Sequence, residues 1–169
     1  MTRPIAPNLL PDTAEVGGDG WLEIGGCSLH DLADEYGTPL FVYDETHLRS
    51  RCREAVAAFP DGVAYATKAF LCRAMARLAL EEGMRLDVAT SGELHVALAA
   101  GALGDRLVLH GNNKSLDELR RARDVRATIV VDSFDEFDRL EQLHDIDGRT
   151  PRALVRITPG VWCDGGRSR

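Results

Sequence analysis

From residue 39 onward the sequence alternates between two patterns of apolar and polar positions. Short runs rich in Val, Ile, Leu or Tyr predict strands, and longer amphipathic stretches rich in Ala, Leu, Glu and Arg predict helices. The predicted strands are LFVYD, VAYATK, RLDVAT, RLVLHG, ATIVVDS and ALVRIT, and the predicted helices are ETHLRSRCREAVAAF, LCRAMARLALEEG, SGELHVALAAG, SLDELRRARD and FDEFDRLEQLH. This alternation favours an α/β fold with a parallel sheet.

Equivalent strand ends recur at a nearly constant interval. Between Thr67, Val88, His110 and Asp132 the steps are 21, 22 and 22 residues, which suits one strand, one helix and two short loops. Both a doubly wound open sheet and a (βα)8 barrel have such a repeat. A dinucleotide-binding open sheet would be expected to carry a GxGxxG loop after a strand, and the sequence contains none.

Polar residues at the predicted strand ends favour the barrel, because barrel active sites lie at the carboxyl ends of the strands. These residues are Lys68, Asp87, His110, Asp132 and Arg156. The predicted fold class is therefore α/β, as a partial (βα)8 barrel with about five strands.

The part of the chain before residue 39 has a different pattern. The first 20 residues are rich in Pro, Gly and Asp, and they predict a flexible or extended leader. WLEIGG alternates like a strand, and SLHDLADEYG predicts a helix that begins after Ser28 and ends at Gly37. The predicted organisation is a leader over 1–20, a strand and helix over 21–38, a partial barrel over 39–161 and a divergent or truncated tail over 162–169.

Charge and composition exclude several classes of partner and site. The chain has 27 acidic and 20 basic residues and a formal net charge of -7, so neither nucleic acid nor a membrane surface is an expected partner. Because the start lacks the pattern of a secretory signal, we expect a cytoplasmic protein. The four cysteines form no CxxC pair, so the sequence predicts neither a metal site nor a disulfide framework.

Lys68 closes the apolar run VAYATK, so the predicted strand delivers an amine to the mouth of the predicted barrel. An amine at such a place can form a Schiff base with an aldehyde. On strand position alone, a lysine with its head group in solvent is the favoured interpretation, because most lysines are exposed.

The motif around Lys68 resembles the Y-A-x-K-A strand of the pyridoxal-phosphate decarboxylases that are built on the alanine-racemase-type barrel. YATKAFLC is one of five blocks in the family's order, with GTPLFVYDE, LDVATSGEL, HGNNKS and LVRITPGV. The resemblance covers about residues 21–161. HGNNKS is similar to the diaminopimelate decarboxylase branch, whereas the ornithine and arginine branches differ in this block.

The resemblance implies pyridoxal 5'-phosphate as cofactor, an amino acid as substrate and a homodimer in the full-length family. It assigns Lys68 as the catalytic lysine that binds the cofactor, and Asp87, His110 and Arg156 as cofactor-binding residues. Apart from the resemblance, Asp87 could cap the helix that begins near Ser91, and His110 could be a hydrogen-bonded barrel histidine.

Four residues of these sequence blocks are predicted to have structural roles. Glu93 is predicted to be a first-turn helix acid, and Asn113 and Lys114 are predicted, with Asn112, to shape a loop.

The resemblance further implies decarboxylation of meso-2,6-diaminopimelate to L-lysine. The alternatives are another decarboxylase of this fold, for ornithine, arginine or carboxynorspermidine, and a non-catalytic homologue that binds pyridoxal phosphate. The last nine residues, VWCDGGRSR, depart from the family pattern after Val161. The family's phosphate cradle and ring-stacking histidine have no counterpart here, so we expect the 169-residue chain to have little activity by itself.

Overall fold

The computed structural model describes residues 5–160, which fall into two compact units. The first comprises residues 5–63 with Glu81–Met84, and the second comprises Ala64–Leu80 with residues 85–160. The predicted boundary at residues 38 and 39 does not coincide with this division. The predicted tail over 162–169 lies outside the described residues. Among the helices between residues 5 and 160, none is long and apolar enough to cross a membrane.

The first unit contains a small antiparallel sheet of three strands. β1 (Glu15–Val16), β2 (Leu22–Ile24) and β3 (Cys27–Ser28) are hydrogen-bonded in that order. β2 is the predicted WLEIGG strand. The predicted leader is more ordered than its composition indicates, because it holds β1 and a 3-10 helix, Pro7–Leu9.

The predicted helix of the first unit is confirmed as α1 (Leu29–Tyr36). The Ser28 hydroxyl accepts a hydrogen bond from the backbone N–H of Asp31 at 3.3 Å, which satisfies one of the free donors at the helix start. Gly37 ends the helix with a φ of 78°, a conformation that a residue with a Cβ atom rarely adopts.

The prediction that LFVYD forms a strand is wrong. Residues 40–44 belong to neither sheet, and Phe41 is 87% exposed. Alternating apolar residues become a strand only where a neighbouring chain segment supplies hydrogen-bond partners. Here the segment leads directly into α2 (Glu45–Ala58), because the Asp44 carboxylate caps the backbone N–H of His47.

The second unit is built on a parallel sheet of five strands. In sheet order they are β4 (Ala64–Ala66), β5 (Arg85–Val88), β6 (Leu107–Leu109), β7 (Thr128–Val131) and β8 (Arg152–Val155). The connecting helices are α3 (Arg73–Glu81), α4 (Ser91–Ala99), α5 (Leu116–Asp124) and α6 (Phe134–Asp147). The strand order follows the chain order without the reversal of a doubly wound sheet. The predicted α/β class and the partial barrel are therefore confirmed.

The sheet has one buried face and one less covered face. Leu86, Val88, Leu107, Leu109 and Ile129 are fully buried and pack on the helix side. Their neighbours along the strands are only partly buried, as the alternating burial of β5 and β6 shows. Because successive side chains of a strand point to opposite faces, the residues between these apolar positions face away from the helices.

Candidate active site

Lys68 lies just past the end of β4, in a 3-10 turn formed by Thr67–Ala69. Thr67 is buried, and its hydroxyl donates to the carbonyl oxygen of Asp87 on β5 at 2.9 Å. The Tyr65 hydroxyl donates to the carbonyl oxygen of Phe70 at 2.7 Å, which closes the turn from its other side. The Lys68 side chain itself is exposed. The two hydrogen bonds therefore fix the backbone that presents the amine.

The strand registers place the predicted site residues on the same face of the sheet. Ala66 pairs with Asp87, and Asp87 pairs with Val108. Because residues two positions apart on a strand point to the same face, Asp87 and His110 both lie on the face that points away from the helices. The same alternation along β7 and β8, where Val130 pairs with Leu154, places Asp132 and Arg156 on this face. Asp87 is the last but one residue of β5, and the other three follow the carboxyl ends of their strands, so all four share one edge of the sheet.

Asp87 and His110 form a hydrogen-bonded pair across β5 and β6. The Nδ1 atom of His110 contacts Oδ1 of Asp87, and the two side chains are 28% and 27% exposed. The backbone N–H of His110 donates to the carbonyl oxygen of Val88 at 2.9 Å, which continues the ladder beyond the strand. A carboxylate on Nδ1 fixes the orientation of the imidazole and leaves Nε2 as its free edge.

The interpretation of Asp87 as a helix cap is wrong. Thr90 caps α4 by accepting from the backbone N–H of Glu93 at 3.2 Å. The Glu93 carboxylate accepts in return from the backbone N–H of Ala89 and of Thr90, at 2.6 and 3.2 Å. The prediction that Glu93 is a first-turn helix acid is thereby confirmed, and Asp87 is left to interact with His110.

Arg156 follows β8 and pairs with a carboxylate of the neighbouring strand. Its Nη1 atom lies 3.0 Å from Oδ1 of Asp132, and the arginine side chain is 59% exposed. Both residues border a cleft of about 380 Å³ that is otherwise mainly apolar. The remaining lining residues are Val131, Ser133, Phe134, Phe137 and Val155. A guanidinium at the rim of an apolar cleft can bind an anionic oxygen of a ligand.

The structure joins the predicted residues into two pairs, not into one connected network. Between residues 5 and 160, neither a hydrogen bond nor an ion pair links Lys68 to Asp87, His110 or Arg156. Within the same range, no group of three or more His, Cys, Asp or Glu side chains could hold a metal ion. The roles of these four residues at a cofactor stay predictions.

A buried ion pair beside the site was missed by the sequence reasoning. Lys114 Nζ lies 2.9 Å from Oε2 of Glu136, and the side chains are 1% and 0% exposed. Burial by itself would raise the pKa of the Glu136 carboxyl, but hydrogen bonds from the Lys114 ammonium and from the backbone N–H groups of Lys114 and Asp132 outweigh it. The pKa of Glu136 therefore lies below its ordinary value.

The sequence contains a signal for glutamates, such as Glu136, that bind backbone N–H groups at the start of a helix. Three helix starts have the pattern Ser or Thr, two residues, Glu: TSGE, SLDE and SFDE, each soon after a strand. In the second, Glu118 accepts from the backbone N–H of Ser115 at 2.9 Å and of Ser91 at 3.0 Å. The Ser115 backbone bond is the main reason why the pKa of Glu118 lies below its ordinary value. Glu118 thus connects the first residue of α4 to the residue that caps α5.

The chain is similar in sequence to a known family of proteins. A family model described as "Pyridoxal-dependent decarboxylase, pyridoxal binding domain" matches residues 45–167. Diaminopimelate decarboxylase from Mycobacterium tuberculosis is 51% identical over 162 residues, which are 93% of this chain and 36% of that protein. The enzyme of the same name from Bacillus subtilis is 49% identical over 148 residues, 84% of this chain and 34% of its own length.

A solved structure extends the similarity to three dimensions. The crystal structure of diaminopimelate decarboxylase from M. jannaschii in complex with L-lysine superposes with a TM-score of 0.80 at 29% identity, over 89% of this chain and 37% of that one. The chain spans about a third of the length of the relatives that it matches.

Proposed function

The chain belongs to the pyridoxal-dependent decarboxylase family, and from this premise we propose that it forms the cofactor-binding part of a diaminopimelate decarboxylase. The reaction would convert meso-2,6-diaminopimelate into L-lysine and carbon dioxide. Relatives that carry the name diaminopimelate decarboxylase are about half identical to this chain, and the M. jannaschii structure with L-lysine contains the expected product. The observation that carries the proposal is an exposed amine, Lys68, at the carboxyl edge of a parallel sheet.

The residues at this edge fit pyridoxal phosphate chemically. The chain has two lysines, and only Lys68 has an amine that a dissolved aldehyde can reach, because Lys114 is 2% exposed. The cofactor also carries anionic oxygens, for which Arg156 offers a partly exposed guanidinium. The pair of Asp87 and His110 offers a fixed imidazole edge on the same face.

Each residue would have a separate role. Lys68 would hold the cofactor covalently through its Nζ atom, on a side chain that is exposed just past the end of β4. His110, oriented by Asp87, would line the pocket. Arg156, oriented by Asp132, would face an oxygen of the cofactor. When bound, pyridoxal phosphate supplies the electron sink for the loss of carbon dioxide.

The central experiment identifies the lysine that the cofactor modifies. Pyridoxal phosphate is added to the protein, the long-wavelength absorbance is recorded, the adduct is reduced with borohydride, and the modified peptide is identified by mass spectrometry. We expect the label on Lys68 and its loss in Lys68→Ala. Lys114 serves as an internal control, since it is the other lysine and is buried. A label on Lys114 or on the amino terminus alone would refute the assignment.

A second experiment tests the substrate. Release of carbon dioxide from meso-2,6-diaminopimelate, ornithine and arginine is compared for the protein at its full natural length. We expect turnover of diaminopimelate alone. Turnover of ornithine or arginine would identify another decarboxylase of this fold, and cofactor binding without any turnover would identify a non-catalytic homologue. We further propose that the enzyme is a homodimer and acts in the cytoplasm, which sedimentation and cell fractionation can test.

A further inference from the structure

The buried pair of Lys114 and Glu136 has no role in the proposed reaction, yet Lys114 lies in the loop that follows His110, and Glu136 lies in the first turn of α6, just after Asp132. Removing two charges from water is costly, so a buried ion pair is weak evidence for stability, and in some proteins such a pair instead fixes one conformation. The described partners of this pair show which conformation it fixes.

Glu136 joins two loops through its two oxygen atoms. Oε1 accepts from the backbone N–H of Lys114 at 2.9 Å, in the loop between β6 and α5. Oε2 accepts from the backbone N–H of Asp132 at 2.9 Å, in the loop between β7 and α6. One carboxylate thus holds the backbones of two adjacent βα loops, and removing its charge would weaken both contacts.

Lys114 completes the connection toward His110. Its Nζ atom donates to the carbonyl oxygen of Gly111, the residue that follows His110, and also pairs with Glu136. Gly111 has a φ of 99°, and a Cβ atom added there would lie 3.1 Å from the carbonyl oxygen of Ala89. The loop after His110 is therefore held by the lysine on one side and lies close to the preceding loop on the other.

We propose that Lys114 and Glu136 are positioning residues that hold His110 and Asp132, and through them Asp87 and Arg156, in one arrangement at the carboxyl edge of the sheet. The proposal deepens the proposed function and rests on it only for the identity of the ligand. The orientation of His110 can be measured without any ligand, so the two proposals can fail separately.

The chain offers a matched control at the opposite ends of the same two helices. Arg123 in the last turn of α5 pairs with Asp147, the last residue of α6, at 2.7 Å, and the arginine side chain is 4% exposed. This second pair also links α5 to α6, with the Asp147 side chain 30% exposed, but it lies away from the strand ends that carry the site. Its loss should lower stability without changing the orientation of His110.

The experiment compares Lys114→Met, Glu136→Gln and the double variant with the control Arg123→Met. The readout is the pair of ring nitrogen NMR signals of His110 at fixed pH, assigned by their absence in His110→Asn. A second readout is the dissociation constant of pyridoxal phosphate from an absorbance titration. All measurements are made well below each variant's unfolding temperature.

We expect the parent protein to show one imidazole tautomer, fixed by Asp87. The variants at Lys114 and Glu136 should show signals averaged between tautomers, and the cofactor should bind about tenfold more weakly or worse, because small displacements of positioned groups have large effects. If a single variant does not fold, the double variant is used to test the proposal, because it contains no uncompensated buried charge. Unchanged His110 signals in the double variant, or the same change in Arg123→Met, would overturn the proposal.

Discussion

Asp87 and His110 are hydrogen-bonded across two neighbouring parallel strands, although 23 positions of sequence separate them. The contact arises because Asp87 pairs with Val108, and His110 lies two residues further along the same face of the sheet. The chain passes through the whole of α4 between the two residues. The regular repeat of strand, helix and strand therefore creates this pair, and four predictions follow from this and related contacts.

Asp87→Asn should weaken cofactor binding. The variant keeps the shape of the side chain but removes the charge that orients His110. Hydrogen bonds to charged groups contribute about 1.5–3 kcal/mol, which corresponds to a loss of roughly 10- to 150-fold in affinity. The measurement is an absorbance titration with pyridoxal phosphate. As the control, His95→Asn removes an exposed histidine that contacts Arg121 on the helix surface. Equal affinities for Asp87→Asn and the parent protein would contradict this role of Asp87.

Thr67→Val should destabilise the turn that presents Lys68. The substitution removes the buried hydroxyl that donates to the carbonyl oxygen of Asp87, and such a bond contributes about 1 kcal/mol to the free energy of unfolding. Denaturant unfolding measures this loss, and the rate of borohydride-trapped labelling measures the effect on Lys68. Ser50→Ala, at an exposed position of α2, is the control. A stable variant with an unchanged labelling rate would show that the turn does not depend on Thr67.

Gly104→Ala should be strongly destabilising. A Cβ atom at this position would lie 1.5 Å from the carbonyl oxygen of Val125, which is backbone and cannot rotate away. We expect a loss of about 3 kcal/mol or more, because relief requires the chain itself to move. Gly92→Ala in α4 is the matched control, since its Cβ atom would meet only Thr90 at 3.8 Å. Similar unfolding midpoints for the two variants would contradict this account.

Acid should destabilise the second unit through Glu118. Backbone and hydroxyl hydrogen bonds from Ser115, together with the Ser91 N–H, hold the pKa of Glu118 below its ordinary value. A depressed folded-state pKa gives stability that is present above the unfolded value, about 4.3 for glutamate, and is lost as the pH falls through the folded value.

The test is the free energy of unfolding as a function of pH. Glu118→Gln should be less stable than the parent protein at neutral pH. It should also lose less stability than the parent protein between about pH 4.5 and pH 3. Glu141→Gln, at an exposed position of α6, is the control and should keep the acid slope of the parent protein. An unchanged slope in Glu118→Gln would show that other carboxylates cause the loss of stability in acid.

The local elements of the second unit were accessible to sequence reasoning because their signals are local. The apolar runs at VAYATK, RLDVAT, RLVLHG and ATIVVDS each contain a strand of the sheet, and ALVRIT contains all of the last strand except its first residue. The LFVYD run has the same local pattern and forms no strand, since pairing depends on a distant segment. Lys114 was assigned to a loop correctly, but its burial depends on Glu136 of the next repeat.

The sequence by itself determined the α/β class, the family and the residue types that gather at one sheet edge, because periodicity, helix caps and motifs are properties of short stretches. Only the tertiary structure decided that Asp87 bonds to His110 instead of capping α4, that Asp132 pairs with Arg156, and that the second lysine is buried. These contacts depend on strand register and on packing between repeats, and the pattern of residues within a short stretch of sequence specifies neither.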